Sequence, residues 1–379
     1  MTAPVRLPDR LPSLTGLRFF GAVAVVVFHA IALPPITVFQ DEKFNGILVF
    51  LISKIGFVSV TFFFILSGFV LTWSARDDDT PRMFYRRRFF RIFPNHAVTW
   101  AACLILLGGA PAWVALLNLL LVQSWVPRLE VASSINMVTW SLSCEVFFYA
   151  LFPFLLRSVQ RIPRARLWYW AVGALLATIA VPFIAVLVMP ERPAIPVINL
   201  PVYQYWFSYN FPVARLGEFL LGMVLARVVR ERLWSGLRLW AALAILGVTY
   251  FGMLIVPMPY GVVAAEVVPS ALLVLAAAST EIRGTNRFFG SRLSLWLGNI
   301  SYALFMSHAI VLYWGRPFFL GDRKFSTPVA LGLVALAVAL SILLAWLLYI
   351  TVERPIARRW SHPAPARART VPAVSSSSA

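Results

Sequence analysis

The sequence predicts an all-α fold, a polytopic membrane helix bundle with about ten transmembrane helices and both termini cytoplasmic. Three observations predict it. Of 379 residues, 60% are hydrophobic and only 13% charged, with a mean hydropathy of +0.80, whereas a soluble domain carries about 25% charged residues. Apolar runs of spanning length recur from residue 19 to residue 351, and runs of more than about 18 residues are rare in soluble chains. The basic residues gather in every second loop between those runs, as the positive-inside rule requires of a chain with a fixed orientation.

Taken in order, residues 1–13 form a short basic cytoplasmic segment and residues 14–355 the membrane domain. The first run, roughly 17–36, superficially resembles a secretory signal. It is too long, offers no convincing small-residue cleavage site and carries Arg18 and His29, so it is expected to stay as the first span. Further spans fall at roughly 46–73, 93–110, 137–156, 167–189, 211–226, 238–257, 261–280, 293–315 and 327–351. The apolar piece at roughly 112–126 is too short to cross and is expected to be re-entrant or interfacial. Charge decides the count. With ten spans and a cytoplasmic N-terminus, 24 basic residues fall in cytoplasmic segments against 6 outside; an eleventh span would put the four arginines of 157–166 outside. Residues 356–379, which include a stretch rich in Pro, Ala, Arg and Ser without apolar periodicity, are expected to form a disordered cytoplasmic tail.

A net charge of +18 would suggest nucleic-acid binding in a soluble chain. Placed in short loops between spans, it is met by anionic lipid headgroups instead, so the lipid bilayer is the expected partner and nucleic acid is not. Cys103 and Cys144 lie in apolar stretches and are expected to be buried free thiols. The bias towards Arg over Lys, with abundant Ala and Val, suggests a GC-rich bacterial genome and hence a multi-pass protein of the cytoplasmic membrane. No internal repeat of the kind that marks transporter halves is visible.

A charged side chain at the centre of a span costs roughly 2.5–3.5 kcal/mol on insertion scales, so intramembrane ionisable groups are candidates for function. They are Arg18, His29, Lys54, Glu145, Arg215, Glu218, Glu266 and His308. Arg18 and His29 are close to three helical turns apart and share one face, about 16 Å along the axis. Arg18 would hold an anionic group near the inner interface or serve as a snorkelling anchor, while His29 works deeper. Arg88 and Arg91, at i and i+3, suit bidentate binding of a phosphorylated cytosolic ligand, although lipid phosphates and the orientation rule explain the same charges. Glu145 follows Trp140 and Ser141 in the outer half of the fourth span, where it would orient or accept a proton from a histidine or arginine across the bundle, or form a purely structural pair. His308, after Ser301 and Tyr302, is expected across from Glu145. Arg215 and Glu218 read as a local ion pair, Asp77-Asp78-Asp79 as a solvated turn, and His96 and His362 as near the cytosolic surface. No zinc spacing is present, and Cys144 ranks low as a nucleophile because an apolar setting disfavours the thiolate.

Several motifs occur in order from about Leu14 to Pro355. They are Arg18 and His29 with ten residues between, Ser67-Gly68-Phe69, Arg88-Phe89-Phe90-Arg91, Trp140-Ser141-Leu142 with Glu145, Ser301-Tyr302 with His308, and Val352-Glu353-Arg354-Pro355. Together they resemble the acyltransferase 3 family of integral membrane O-acyltransferases. The resemblance implies transfer of an acyl group, commonly acetyl, from acetyl-CoA or another acyl-CoA to hydroxyls of sugars, envelope polysaccharides or secondary metabolites. It implies that His29 is catalytic, with Glu145 matching the glutamate of the fourth-span motif. Arg18, Arg88 and Arg91 would bind the acyl-CoA, and Trp140, Ser141, Tyr302 and His308 would bind or orient substrate, with no metal. Longer members append an extracytoplasmic esterase-like domain, for which no room is expected after Arg354. Short members from antibiotic-producing actinobacteria acylate macrolide or other polyketide hydroxyls, which ranks a natural product slightly ahead of a cell-envelope glycan as acceptor.

The expected mechanism has acyl-CoA docking from the cytosol on Arg88 and Arg91, with its thioester threaded towards His29, the general base on the acceptor hydroxyl; an acyl-histidine intermediate is the competing route. Readings from other classes are a transporter or channel using Arg18, His29 and Glu145 as a proton or anion path, and a non-catalytic scaffold.

Overall fold

The computed structural model describes residues 7–8, 11–33, 38–76, 78–195, 200–285 and 288–360. Arg6, Arg10, Asp77, Arg287, His362 and the tail from residue 361 lie outside the described residues. Helix α1 (Pro12–Ala32) opens on a proline, whose missing N–H is harmless in the first turn. No side chain of its own caps it. Instead the Ser13 amide donates to Glu281 Oε2 at 3.0 Å, setting a carboxylate against the positive helix end. The second apolar stretch is broken into α2 (Glu42–Ile52) and α3 (Ile55–Trp73) at Ser53 and Lys54. Buried Lys54 sends its Nζ to the Met253 and Val256 carbonyls, at and just beyond another helix's C-terminal end, where a cation is favoured. Helix α4 (Pro81–Leu106) starts on Thr80, whose Oγ1 accepts the Met83 amide at 3.3 Å.

The segment after α4 decides where the site lies. Helix α5 (Ala112–Leu119) has 8 residues, about 12 Å, too short to cross. It runs back alongside α4: Trp100 Nε1 donates to the Ala115 carbonyl at 3.2 Å, and His96 Nε2 lies 3.1 and 3.2 Å from the carbonyls of Asn118 and Leu119. The piece is therefore re-entrant, and His96 is fully buried rather than near the surface. It is ten residues inside the end of α4 and satisfies the orphan carbonyls of α5. Asn118 Nδ2 bonds to the Ser134 carbonyl (2.8 Å) and to Thr139 Oγ1 (3.3 Å), so the next helix, α6 (Trp140–Gln160), begins inside the bundle instead of at its edge.

The rest comprises α7 (Leu167–Val188), α8 (Leu216–Arg230), α9 (Leu239–Met253), α10 (Val267–Ile282), α11 (Arg292–Ala309), α12 (Thr327–Leu348) and α13 (Arg354–Trp360), with shorter turns between. Each of the ten expected runs is mostly helical over its described residues. Among the described residues, seven helical stretches are long and apolar enough to cross a membrane, whereas α8, α9 and α10 have 15, 15 and 16 residues, below the usual minimum of about 17. For α8 and α10 the reason is burial: most of their side chains face other helices, so bilayer thickness does not set their length. Large apolar side chains such as Ile105 and Leu187 point outward, as lipid contact requires.

Glycines let two helix pairs approach closely. A Cβ on Gly68 would lie 2.0 Å from the Phe219 carbonyl oxygen, and one on Gly222 would lie 1.9 Å from that of Ile65, so α3 and α8 touch backbone to backbone. The same holds for α1 and α11, where a Cβ on Gly298 would meet the Thr15 carbonyl at 2.1 Å. That contact aligns the face carrying Arg18 and His29 with the one carrying Ser301, Tyr302 and His308.

Candidate active site

A cavity of about 110 Å³ lies where α1, α3, α4, α6 and α11 converge. Arg18 from α1, Arg88 and Arg91 from α4, Ser141 and Glu145 from α6, and Tyr302 from α11 line it, so one chamber gathers most of the residues the sequence nominates. Arg88 also lines a larger basic vestibule of about 930 Å³ at the arginine-rich end of the bundle, with Trp73, Arg76, Arg87 and Arg157. Arg91 likewise lines a second crevice of about 470 Å³ with Trp296, Trp346, Arg354 and Arg358.

The three cavity arginines are held differently. Arg18 makes no hydrogen bond or ion pair with the described residues, so its guanidinium is available to a ligand. The Arg88 guanidinium lies 5.8 Å from the Phe84 ring and 6.0 Å from that of Tyr149, cation–π contacts that orient it without neutralising it. Arg91 is paired with Glu353 and sits 5.7 Å over the Tyr302 ring. Asn95 Nδ2 holds the other oxygen of Glu353 at 2.7 Å. A π-helical turn at Tyr349–Glu353, where α12 passes into α13, brings that carboxylate inward to 1% exposure. Arg87 is engaged bidentately by Asp79, at 2.8 and 2.6 Å, so this part of the acidic run is an ion-pair partner rather than a solvated turn.

Glu145 sits among the arginines, not across from His308 as its expected place in the outer half of a span required. Because α6 starts inside the bundle, its second turn already lies level with Arg88. The carboxylate accepts from the Tyr149 hydroxyl at 3.3 Å, and that hydroxyl is 3.3 Å from Ser67 Oγ. Ser141 Oγ donates to the Val138 carbonyl (3.0 Å) and Tyr302 OH to that of Ile92 (3.0 Å). Trp140 falls outside the cavity and packs on Tyr209, ring centroids 4.3 Å apart.

The imidazoles form a separate centre. His29 Nδ1 and His308 Nε2 are 2.7 Å apart, the two ring planes agree within 12°, and both are buried. His308 Nδ1 lies 3.1 Å from the Leu304 carbonyl. A carbonyl only accepts, so His308 carries its proton on Nδ1 and offers Nε2 as an acceptor; His29 then donates from Nδ1, and its Nε2 holds the free lone pair. Neither histidine lines the arginine cavity. Phe63 and Phe305 line that cavity edge to face with each other, and the Phe305 ring lies 6.1 Å from that of His308.

Of the other intramembrane charges, Lys54 is held by the two carbonyls described above and Glu266 is fully buried with no ion pair among the described residues. Arg215 and Glu218 form the expected pair, fully buried, at 2.8 and 2.9 Å, with Thr61 at 3.2 Å from the guanidinium. Cys103 and Cys144 are buried free thiols. Residues missed from sequence are Asn95, Tyr149, Phe63 and Phe305. The first is a buried amide in a span, a costly group to bury though less so than a charge, whereas the aromatic residues are indistinguishable from lipid-facing ones without neighbours.

The acyltransferase domain family matches residues 11–350. An acyltransferase, MdmB, of Streptomyces mycarofaciens is 36% identical over 362 residues, covering 92% of each chain. A putative peptidoglycan O-acetyltransferase, YrhL, of Bacillus subtilis is 25% identical over 389 residues, covering 91% of this chain and 55% of its own. No solved structure matches the chain. With most of the nominated site residues lining one chamber and the family match running through nearly all of the membrane domain, the chain belongs to the acyltransferase 3 family of membrane O-acyltransferases.

Proposed function

We propose that this protein moves an acyl group, acetyl above all, from cytosolic acyl-CoA to a hydroxyl of a natural product such as a macrolide, with a cell-envelope sugar as the other acceptor class. The observation that carries the reading is the chain Leu304 carbonyl, His308, His29, which leaves an unprotonated imidazole nitrogen aimed away from its partner. A neutral imidazole held in one tautomer is the group a general base requires. A proton or anion path would instead need a string of titratable groups continuous with the arginines, and two phenylalanines interrupt it.

The donor's nucleotide half fits the 930 Å³ vestibule, with Arg88 at its junction with the inner cavity taking a phosphate. The pantetheine arm passes Arg88 and Arg18 towards the imidazole. His29 Nε2 removes the acceptor's hydroxyl proton, the oxygen attacks the thioester carbonyl, the carbon–sulfur bond breaks, and the imidazolium returns the proton to the departing CoA thiolate. Glu145 balances the cavity arginines and positions the arm through Tyr149. This chain covers 92% of the streptomycete acyltransferase but only 55% of the peptidoglycan O-acetyltransferase, which makes the first the better guide of the two and ranks the envelope polymer second.

Purified protein supplied with labelled acetyl-CoA, a macrolide panel and envelope glycans tests this. Labelled ester with release of CoA is expected, and His29→Ala lowers transfer by about 10²–10⁴-fold while CoA binding persists. Anion or proton flux without thioester consumption would overturn the reading.

A further inference from the structure

Between the arginine cavity and the imidazole pair lies a layer one side chain thick. On α1 the order is Arg18 in the cavity, then Gly21 and Val25, then His29; on α11 it is Ser301 and Tyr302 in the cavity, then Phe305, then His308. Phe63 of α3 fills the gap. Its ring meets Phe305 edge-on at 6.2 Å and lies against Gly21, where an added Cβ would come within 2.9 Å of Cζ. Phe305 in turn lies 6.1 Å from the His308 ring. Val25, Phe63 and Phe305 pack together as one apolar cluster. Gly21 is what permits it, since a side chain there would displace the Phe63 ring.

We infer that Phe63 and Phe305 are the specificity-determining residues for the acyl group. They form the aperture through which the thioester passes from the arginine cavity to His29, and only a short acyl chain fits between them. This rests on the donor reading above, in which the thioester arrives from the arginine side. The layer is apolar, so it favours the acyl group over water and keeps the basic imidazole dry until a donor arrives. Discrimination against one extra methylene in an apolar site is about 10–200-fold, which is enough to restrict transfer to acetyl and its nearest homologues. Both rings are held by packing and make no hydrogen bond, so trimming them removes bulk without leaving a buried polar group unmet.

The test uses the full-length protein in detergent with acetyl-CoA and hexanoyl-CoA as an equimolar pair and the acceptor found in the panel above. Phe63→Leu and Phe305→Leu are measured first because they keep most of the bulk, then Phe63→Ala and Phe305→Ala. The ratio of kcat/KM for hexanoyl-CoA over acetyl-CoA is expected to rise by about tenfold or more in the alanine variants, with the leucine variants between. CoA thiol release without acceptor is expected to increase as water gains the imidazole. A ratio equal to wild type in folded, active leucine variants overturns the aperture. Wild-type protein that turns over neither thioester overturns the donor reading itself, so the two failures are distinct.

Discussion

The Leu304 carbonyl fixes which nitrogen of His29 is basic, because it orders the protons along both imidazoles. His308→Ala removes the acceptor for His29 Nδ1 and lets the ring adopt the other tautomer. Its kcat is expected to fall by on the order of 10–10²-fold with the KM for acetyl-CoA little changed, a split visible in steady-state kinetics. His29 was legible in the sequence because it stands 11 residues from Arg18 on an apolar face. Its partner was not, since spacing along one helix identifies a face but not the helix it meets, and Glu145 was the equally plausible choice. The pairing is settled by the close approach of α1 and α11 around Gly298.

At the scale of elements, helix contacts made through glycine carry the architecture. Gly222→Ala would drive a methyl into the Ile65 carbonyl and force α3 from α8, at a cost of about 1–3 kcal/mol, read as a lower thermal midpoint in detergent. Gly247→Ala in α9, where nothing lies within 4 Å, is the matched control and is expected to hold or raise that midpoint. The ten apolar runs and the non-crossing character of 112–126 were readable, the latter from the arginines of 157–166. The depth at which α6 begins was not readable, because it follows from hydrogen bonds of Asn118 and His96 that hydropathy does not register. That is why Glu145 lies beside Arg18, Arg88 and Arg91 and not across from His308.

Across the whole molecule, positive charge is expected to set both orientation and donor capture. A cysteine placed at Arg161 is expected to react with an impermeant maleimide only from the cytosolic side, and one at Lys324 only from the opposite side; labelling of sealed vesicles of each orientation checks this. Arg88→Gln is expected to raise the KM for acetyl-CoA about tenfold or more. Arg91→Gln should raise it less, because Glu353 already engages that guanidinium. Competition binding with CoA separates the two. Overall fold class and the cluster of arginines were legible because burial of charge is costly enough to mark the sequence. The aromatic partition was not, because in a chain with 15% aromatic residues two more carry no signal.

His29 and His308 meet across 279 positions of sequence. During synthesis the first imidazole is therefore in the bilayer long before the second leaves the ribosome, with no partner to fix its proton. Under the proposed mechanism, a nascent or truncated chain that holds the whole donor vestibule would still lack the finished base, and the cell's thioester pool would meet no active enzyme until nearly all of the chain had been threaded into place.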